Sequence, residues 1–132
     1  MNNMIFSLHI VSAPYSKQAA QSAYCFAQSA LKKGHTIKRV FFSNDGVHCG
    51  SSLTTPPQDE ANVSKNWAAL ASLHDIDLVI CVAAAQRRGL LDKTEAERYG
   101  LEHYNVEATF TLSGLGQLVE AAVESDRLIT FG

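Results

Sequence analysis

Ile76-Asp77-Leu78-Val79-Ile80-Cys81-Val82-Ala83-Ala84-Ala85, followed at once by Gln86-Arg87-Arg88-Gly89, decides how the rest of the chain is read. A short, nearly unbroken apolar run with one aspartate near its start fits a central parallel strand covered on both faces. Such a strand needs parallel neighbours and covering helices, so the flanking segments are expected to alternate between strand and helix.

Working outward, they do. Residues 5–11 are rich in β formers and run into the loop Ser12-Ala13-Pro14-Tyr15. From about residue 16 to residue 33, Ala20, Ala23, Tyr24, Ala27, Ala30 and Leu31 recur at helical spacing, and Gly34 follows as a C-cap. Residues 36–42 predict a second strand. Asn44-Asp45-Gly46 is turn chemistry, and a long loop is expected from there through Pro56-Pro57. Ala61, Val63, Trp67, Leu70, Ala71 and Leu73 suit a second helix over 59–73, before the third strand at 76–82. A short helical turn at 83–88, a polar segment at 92–98 capped by Asp92, and a fourth strand at 107–112 come next. Ser113-Gly114-Leu115-Gly116 opens a helix over 117–125, and 127–131 closes the chain as a fifth strand. The fold class is therefore α/β: right-handed βαβ crossovers, a mainly parallel five-stranded sheet and a three-layer α/β/α sandwich.

With 132 residues, 46% hydrophobic and 18% charged, the chain can bury one sizeable core, and a single domain over 1–132 is expected. The net charge is -2, and basic residues are scattered apart from Lys32-Lys33 and Arg87-Arg88, so no footprint for direct nucleic-acid binding is present. No apolar stretch approaches the roughly 18 to 20 residues that cross a bilayer, and the start lacks the features of a signal peptide. A cytoplasmic location with no membrane partner is the expectation. Cys25, Cys49 and Cys81 are odd in number and widely spaced, which argues against a disulfide framework or a structural zinc site and predicts three free thiols.

Cys81 is the candidate with chemistry. A free cysteine packs well as a small apolar residue in a buried strand. The same position lies at the carboxyl edge of a parallel sheet, where functional groups gather. There, the N–H groups of the following turn and the charge of Arg87 or Arg88 would favour thiolate over thiol. Pattern alone leaves both readings open. No histidine lies nearby in sequence to serve as a general base, which disfavours a Cys/His hydrolase. Cys25, within the first helix, reads as structural. Cys49, beside His48, is expected on an exposed loop as a tolerated surface cysteine, with a second reactive thiol less favoured. Gly114-x-Gly116 lacks the third glycine of a phosphate loop, since position 119 is Val119, and reads as a helix start. His9, His35, His48, His74 and His103 are isolated, so no metal site is expected; Asp59-Glu60 and Glu95/Glu97 read as solvated helix charges.

The block Ile80-Cys81-Val82-Ala83-Ala84-Ala85-Gln86-Arg87-Arg88-Gly89, with Phe41-Phe42 and Asp45-Gly46-Val47 upstream and Phe110-Thr111-Leu112-Ser113-Gly114-Leu115-Gly116 downstream, resembles the DsrE family of sulfur-relay proteins, most nearly its TusD branch. The resemblance runs through nearly the whole chain. It implies a sulfurtransferase subunit whose Cys81 accepts sulfane sulfur as a persulfide, with no metal or organic cofactor. It also implies companion TusC-like and TusB-like subunits in a dimer of heterotrimers, a TusA-like donor and a TusE-like acceptor. The pathway implied is 2-thiouridine formation at the tRNA wobble position, with sulfur oxidation as the DsrE-type alternative. Cys49 does not belong to the family pattern. Further readings are a non-catalytic scaffold subunit with a packed Cys81, and a nucleotide-binding domain, which the missing phosphate motifs disfavour.

Overall fold

A computed structural model describes residues 2–132. Five strands, β1 (Ile5–Ile10), β2 (Thr36–Phe42), β3 (Asp77–Cys81), β4 (Phe110–Ser113) and β5 (Arg127–Phe131), form one sheet in the order β4-β3-β2-β1-β5. Every pairing is parallel. Five helices connect or flank the strands: α1 (Ala19–Lys32), α2 (Val63–His74), α3 (Val82–Arg87), α4 (Lys93–Arg98) and α5 (Gly116–Glu124). The α/β sandwich expected from the alternating pattern is the fold observed.

Side chains alternate between the two faces of each strand, and this assigns the layers. Phe6 meets Phe26 of α1 at 5.2 Å between ring centroids, and Phe42 meets Trp67 of α2 at 5.8 Å. The even-numbered residues of β1, and in β2 Ile37 before the register shift and Val40 and Phe42 after it, thus face α1 and α2. The opposite set, with Ser7 and His9 of β1 and Arg39 and Phe41 of β2, faces α5: the Arg39 Nη1 donates to the Gln117 carbonyl at 2.9 Å, and the hydroxyls of Ser7 and Ser125 lie 2.7 Å apart. Arg39 is buried, yet its Nε reaches Asp77 at 2.7 Å and its Nη2 reaches Glu120 at 3.2 Å. Burial opposes its charge, but the hydrogen bonds and charges of Asp77 and Glu120 outweigh this and raise its pKa.

Strands β1 to β4 march in one direction, and β5 returns to the other side of β1. The reversal of order, where crevices open in doubly wound sheets, therefore lies between β1 and β5. Cys81 ends β3, two places from β1.

The largest departure from expectation lies after β2. Instead of a solvated loop, Asn44–Gly50 is a 3₁₀ helix whose Gly46, Val47, Cys49 and Gly50 are buried. The two glycines explain it. A Cβ on Gly46 would collide with the Ile10 carbonyl, and one on Gly50 with the Ile80 side chain, so only glycine lets this segment lie on the sheet end. Gly46→Ala must displace main chain; we expect it to cost about 1–3 kcal/mol, as overpacking does, seen as a lower denaturant midpoint. Smaller differences are local. Helix α2 starts at Val63, because the Asn62 side chain caps it by accepting from the Lys65 N–H. The fourth strand starts at Phe110, because the Glu107 carboxylate turns back to accept from the Thr109 N–H at 2.8 Å. The Asp92 cap is as expected, accepting from the Glu95 N–H at 2.8 Å.

Candidate functional site

Cys81 is both the last residue of β3, paired with Ser113 of β4, and the N-cap of α3. Its backbone is extended, φ -60° and ψ 116°, and its side chain makes no capping hydrogen bond. The anticipated N–H contact from the following turn is therefore not formed. The residue is 8% exposed, against 0% for Cys49. The residue lies at the carboxyl rim of the sheet, nearly but not fully enclosed.

The two arginines have different surroundings. Arg87 is exposed on the last turn of α3 and has no ion-pair partner among the described residues. Arg88 is committed to structure: its Nε donates to the Asp45 Oδ1 at 2.7 Å and its Nη1 to the Ala84 carbonyl at 3.1 Å. That hydrogen bond and the Arg88 charge hold the Asp45 carboxyl below its usual value. Arg88 thereby ties α3 to the 3₁₀ helix. On the other side, the Gln86 Nε2 donates to the Glu95 Oε2 at 2.8 Å and ties α3 to α4, so Glu95 is a structural acceptor and not a solvated charge.

The other two thiols exchange the roles expected of them. Cys25 is exposed on α1, with the Gln21 Nε2 at 3.7 Å from its sulfur, and is not part of the core. Cys49 is fully buried, and burial pushes its thiol up to about 12, its own backbone hydrogen bond acting in the opposite sense. It is a neutral thiol at physiological pH. In the folded chain we expect a small alkylating reagent to modify Cys25 first and Cys81 more slowly, while Cys49 reacts only in denaturant. Peptide mass mapping over time checks the order.

One constellation escaped the sequence reading. The His9 Nε2 lies 2.7 Å from the Ser43 hydroxyl, and its Nδ1 lies 3.5 Å from the Thr130 hydroxyl. The ring packs on Phe41 at 5.9 Å, and burial lowers the His9 pKa. These residues are 34 and 121 positions apart, so only strand order brings them together. Among the described residues, no group of three or more potential metal ligands converges.

A parallel α/β sandwich with a thiol at the carboxyl end of an inner strand is the class of protein defined so far. The family model for the DsrE/DsrF-like family matches residues 5–131. The chain belongs to that family. It is 54% identical over 129 residues to a DsrE protein of Allochromatium vinosum, covering 98% of this chain and 99% of that one. It is 47% identical over 126 residues to sulfurtransferase TusD of Serratia proteamaculans, covering 96% and 98%. A sulfurtransferase TusD homolog of Vibrio cholerae is 43% identical over 131 residues, covering 99% and 100%. Among solved structures, the ychN protein from E. coli superposes with a TM-score of 0.75 at 15% identity, covering 98% of this chain and all of that one, which bears on the fold alone.

Proposed function

We propose that this chain is the sulfur-carrying subunit of a sulfurtransferase, with Cys81 as the persulfide carrier. The observation that carries the reading is the position of Cys81: a free thiol at the rim, at the end of an inner parallel strand, in a chain whose relatives are named sulfurtransferases. The transfer is an exchange at sulfur. The Cys81 thiolate attacks the outer sulfur of a donor persulfide, forming Cys81–S–SH as the donor's single S–S bond breaks and its thiolate leaves. An acceptor thiolate then attacks the outer sulfur and Cys81 departs as thiolate. No redox equivalent or cofactor enters either step.

The reading includes a TusA-like donor, a TusE-like acceptor and TusC-like and TusB-like companions, acting in the cytoplasm as one domain per chain. Leu115, Val119 and Val123 support companion subunits, since they form an exposed apolar stripe on α5. No helix among the described residues is long and apolar enough to cross a membrane. Arg87, being free, suits an acidic surface on donor or acceptor. The relay serves 2-thiouridine formation at the tRNA wobble position in the TusD-type reading. The 54% identity to the Allochromatium vinosum protein favours a second, DsrE-type reading in sulfur oxidation. Both share the step at Cys81. Incubation with a persulfidated TusA-like donor carrying labelled sulfur tests it: the peptide containing Cys81 gains the mass of one sulfur atom, and label found only on Cys25 or Cys49 overturns the assignment.

A further inference from the structure

The His9–Ser43–Thr130 line lies on the sheet face that carries Cys81. Ser43 extends β2 by one residue: its backbone is extended (φ -135°, ψ 173°), and its N–H donates to the Ile10 carbonyl at 3.0 Å. Phe41 pairs with Val79 and Phe42 with Ile80, so the next step sets Ser43 level with Cys81 on the adjoining strand. Neighbouring strands are spaced about 4.8 Å apart, so the two residues are neighbours across the strand pair. The Ser43 hydroxyl is bonded to His9 and makes no hydrogen bond to the Cys81 sulfur in this structure, so donation requires it to turn toward the sulfur. Alternation places both on the face of Phe41, His9 and Val79, away from the Phe42–Trp67 layer. Ser43 is 6% exposed, so its hydroxyl needs protein partners.

We propose that the Ser43 hydroxyl donates to the Cys81 thiolate, and that His9 and Thr130 are positioning residues that aim it. One set of directions uses every donor once. The Thr130 O–H donates to His9 Nδ1, the His9 Nε2–H donates to Ser43 Oγ, and the Ser43 proton is left for sulfur. That arrangement needs a neutral imidazole, which the burial of His9 favours.

This inference rests on the persulfide reading of Cys81 and gives it a specific energetic role. When Cys81 attacks, negative charge leaves it for the departing donor sulfur. When the acceptor attacks, the charge returns to Cys81 as leaving group, and the Ser43 hydroxyl meets it there. The surrounding charges are otherwise engaged. Arg39, Asp77 and Glu120 form a cluster at the amino end of the same face, and Glu124 pairs with Lys38. Asp45 of the 3₁₀ helix is held by Arg88. Arg127 of β5 donates to the Asp126 carbonyl. His48, Arg87 and the enclosed thiol of Cys49 are the remaining titratable groups on the elements around Ser43 and Cys81, and none is a hydrogen-bond partner of His9.

The test is the pH–rate profile for modification of Cys81 by methyl methanethiosulfonate, in a Cys25→Ser background with full-length chain. Ser43→Ala is expected to react roughly tenfold more slowly at neutral pH, the size of one hydrogen bond to a charged group, with the profile moved to higher pH. Ser43→Thr restores the parent curve. His9→Phe, which keeps a ring against Phe41, shifts the curve in the same direction as Ser43→Ala and serves where that variant is poorly folded. Superimposable curves for the folded variants overturn the proposal, as does an equal loss in Ser43→Ala and Ser43→Thr, which marks packing instead of donation. Loading of labelled sulfur on the unaltered chain is scored separately: if Cys81 loads and the curves coincide, the hydroxyl's role alone falls, whereas a Cys81 that never loads removes the persulfide reading itself.

Discussion

Cys81→Ser is expected to abolish loading of labelled sulfane sulfur, while Cys49→Ser should load as the parent chain does. The substitution changes a single atom at a site 8% exposed, so the fold and its surfaces are retained and the loss belongs to the sulfur. A serine hydroxyl cannot become an anion at neutral pH without an adjacent base, and it forms no persulfide. Cys49 fails as a substitute for a different reason: it is enclosed, and its thiol is pushed up to about 12. Retained loading in Cys81→Ser, with loss in Cys49→Ser, would sink the assignment of the carrier. Retained loading in both would point to Cys25, the exposed thiol on α1.

Trp67→Ala is expected to cost about 3–5 kcal/mol of folding stability, the largest effect of any side-chain truncation away from the rim. Trp67 is 0% exposed and stands edge-on to Tyr24 of α1 at 5.1 Å and to Phe42 of β2 at 5.8 Å, locking both helices of that layer to the sheet. Its removal leaves a cavity at the junction of three elements. Trp67→Phe is a sharper probe. The indole N–H is buried without a hydrogen-bond partner, so replacing it by a phenyl ring keeps much of the edge-on packing and relieves an unpaired donor. We expect it to cost less than about 1.5 kcal/mol. Urea unfolding of the two variants separates these outcomes; equal losses would show that ring volume alone matters at this position.

The parallel sheet was legible because β3 is apolar on both faces and because α1 carries a clean helical repeat ending at Gly34, which adopts φ 89°. Local signals of that kind are carried by neighbours in sequence. The position of Cys81 at the end of a strand followed from the same signals. The 44–50 segment was misread because Asn44-Asp45-Gly46 has turn chemistry whether it is solvated or packed; burial came from the close approach of Gly46 and Gly50 to strands far away in sequence. Cys49 was misplaced with it. The exposure of Cys25 was hidden for a related reason, since small residues on both sides of α1 blur the boundary of its buried stripe of Ala20, Ala23, Ala27 and Ala30. Arg88 and Arg87 look alike in the sequence, and only the distant Asp45 distinguishes a strut from a free charge. The His9–Ser43 pair needed the strand order itself.

The burial of Cys49 has a chemical consequence for a carrier of this kind. A persulfide held near a second ionised thiol tends to collapse into a disulfide and expel sulfide, discarding its cargo. Here the 3₁₀ helix, admitted by two glycines, seals one competing sulfur in protonated form beneath the rim, and the other lies outside on α1. In the proposed carrier role the fold would act as insulation, leaving a persulfide on Cys81 to be discharged by a thiolate brought from another molecule.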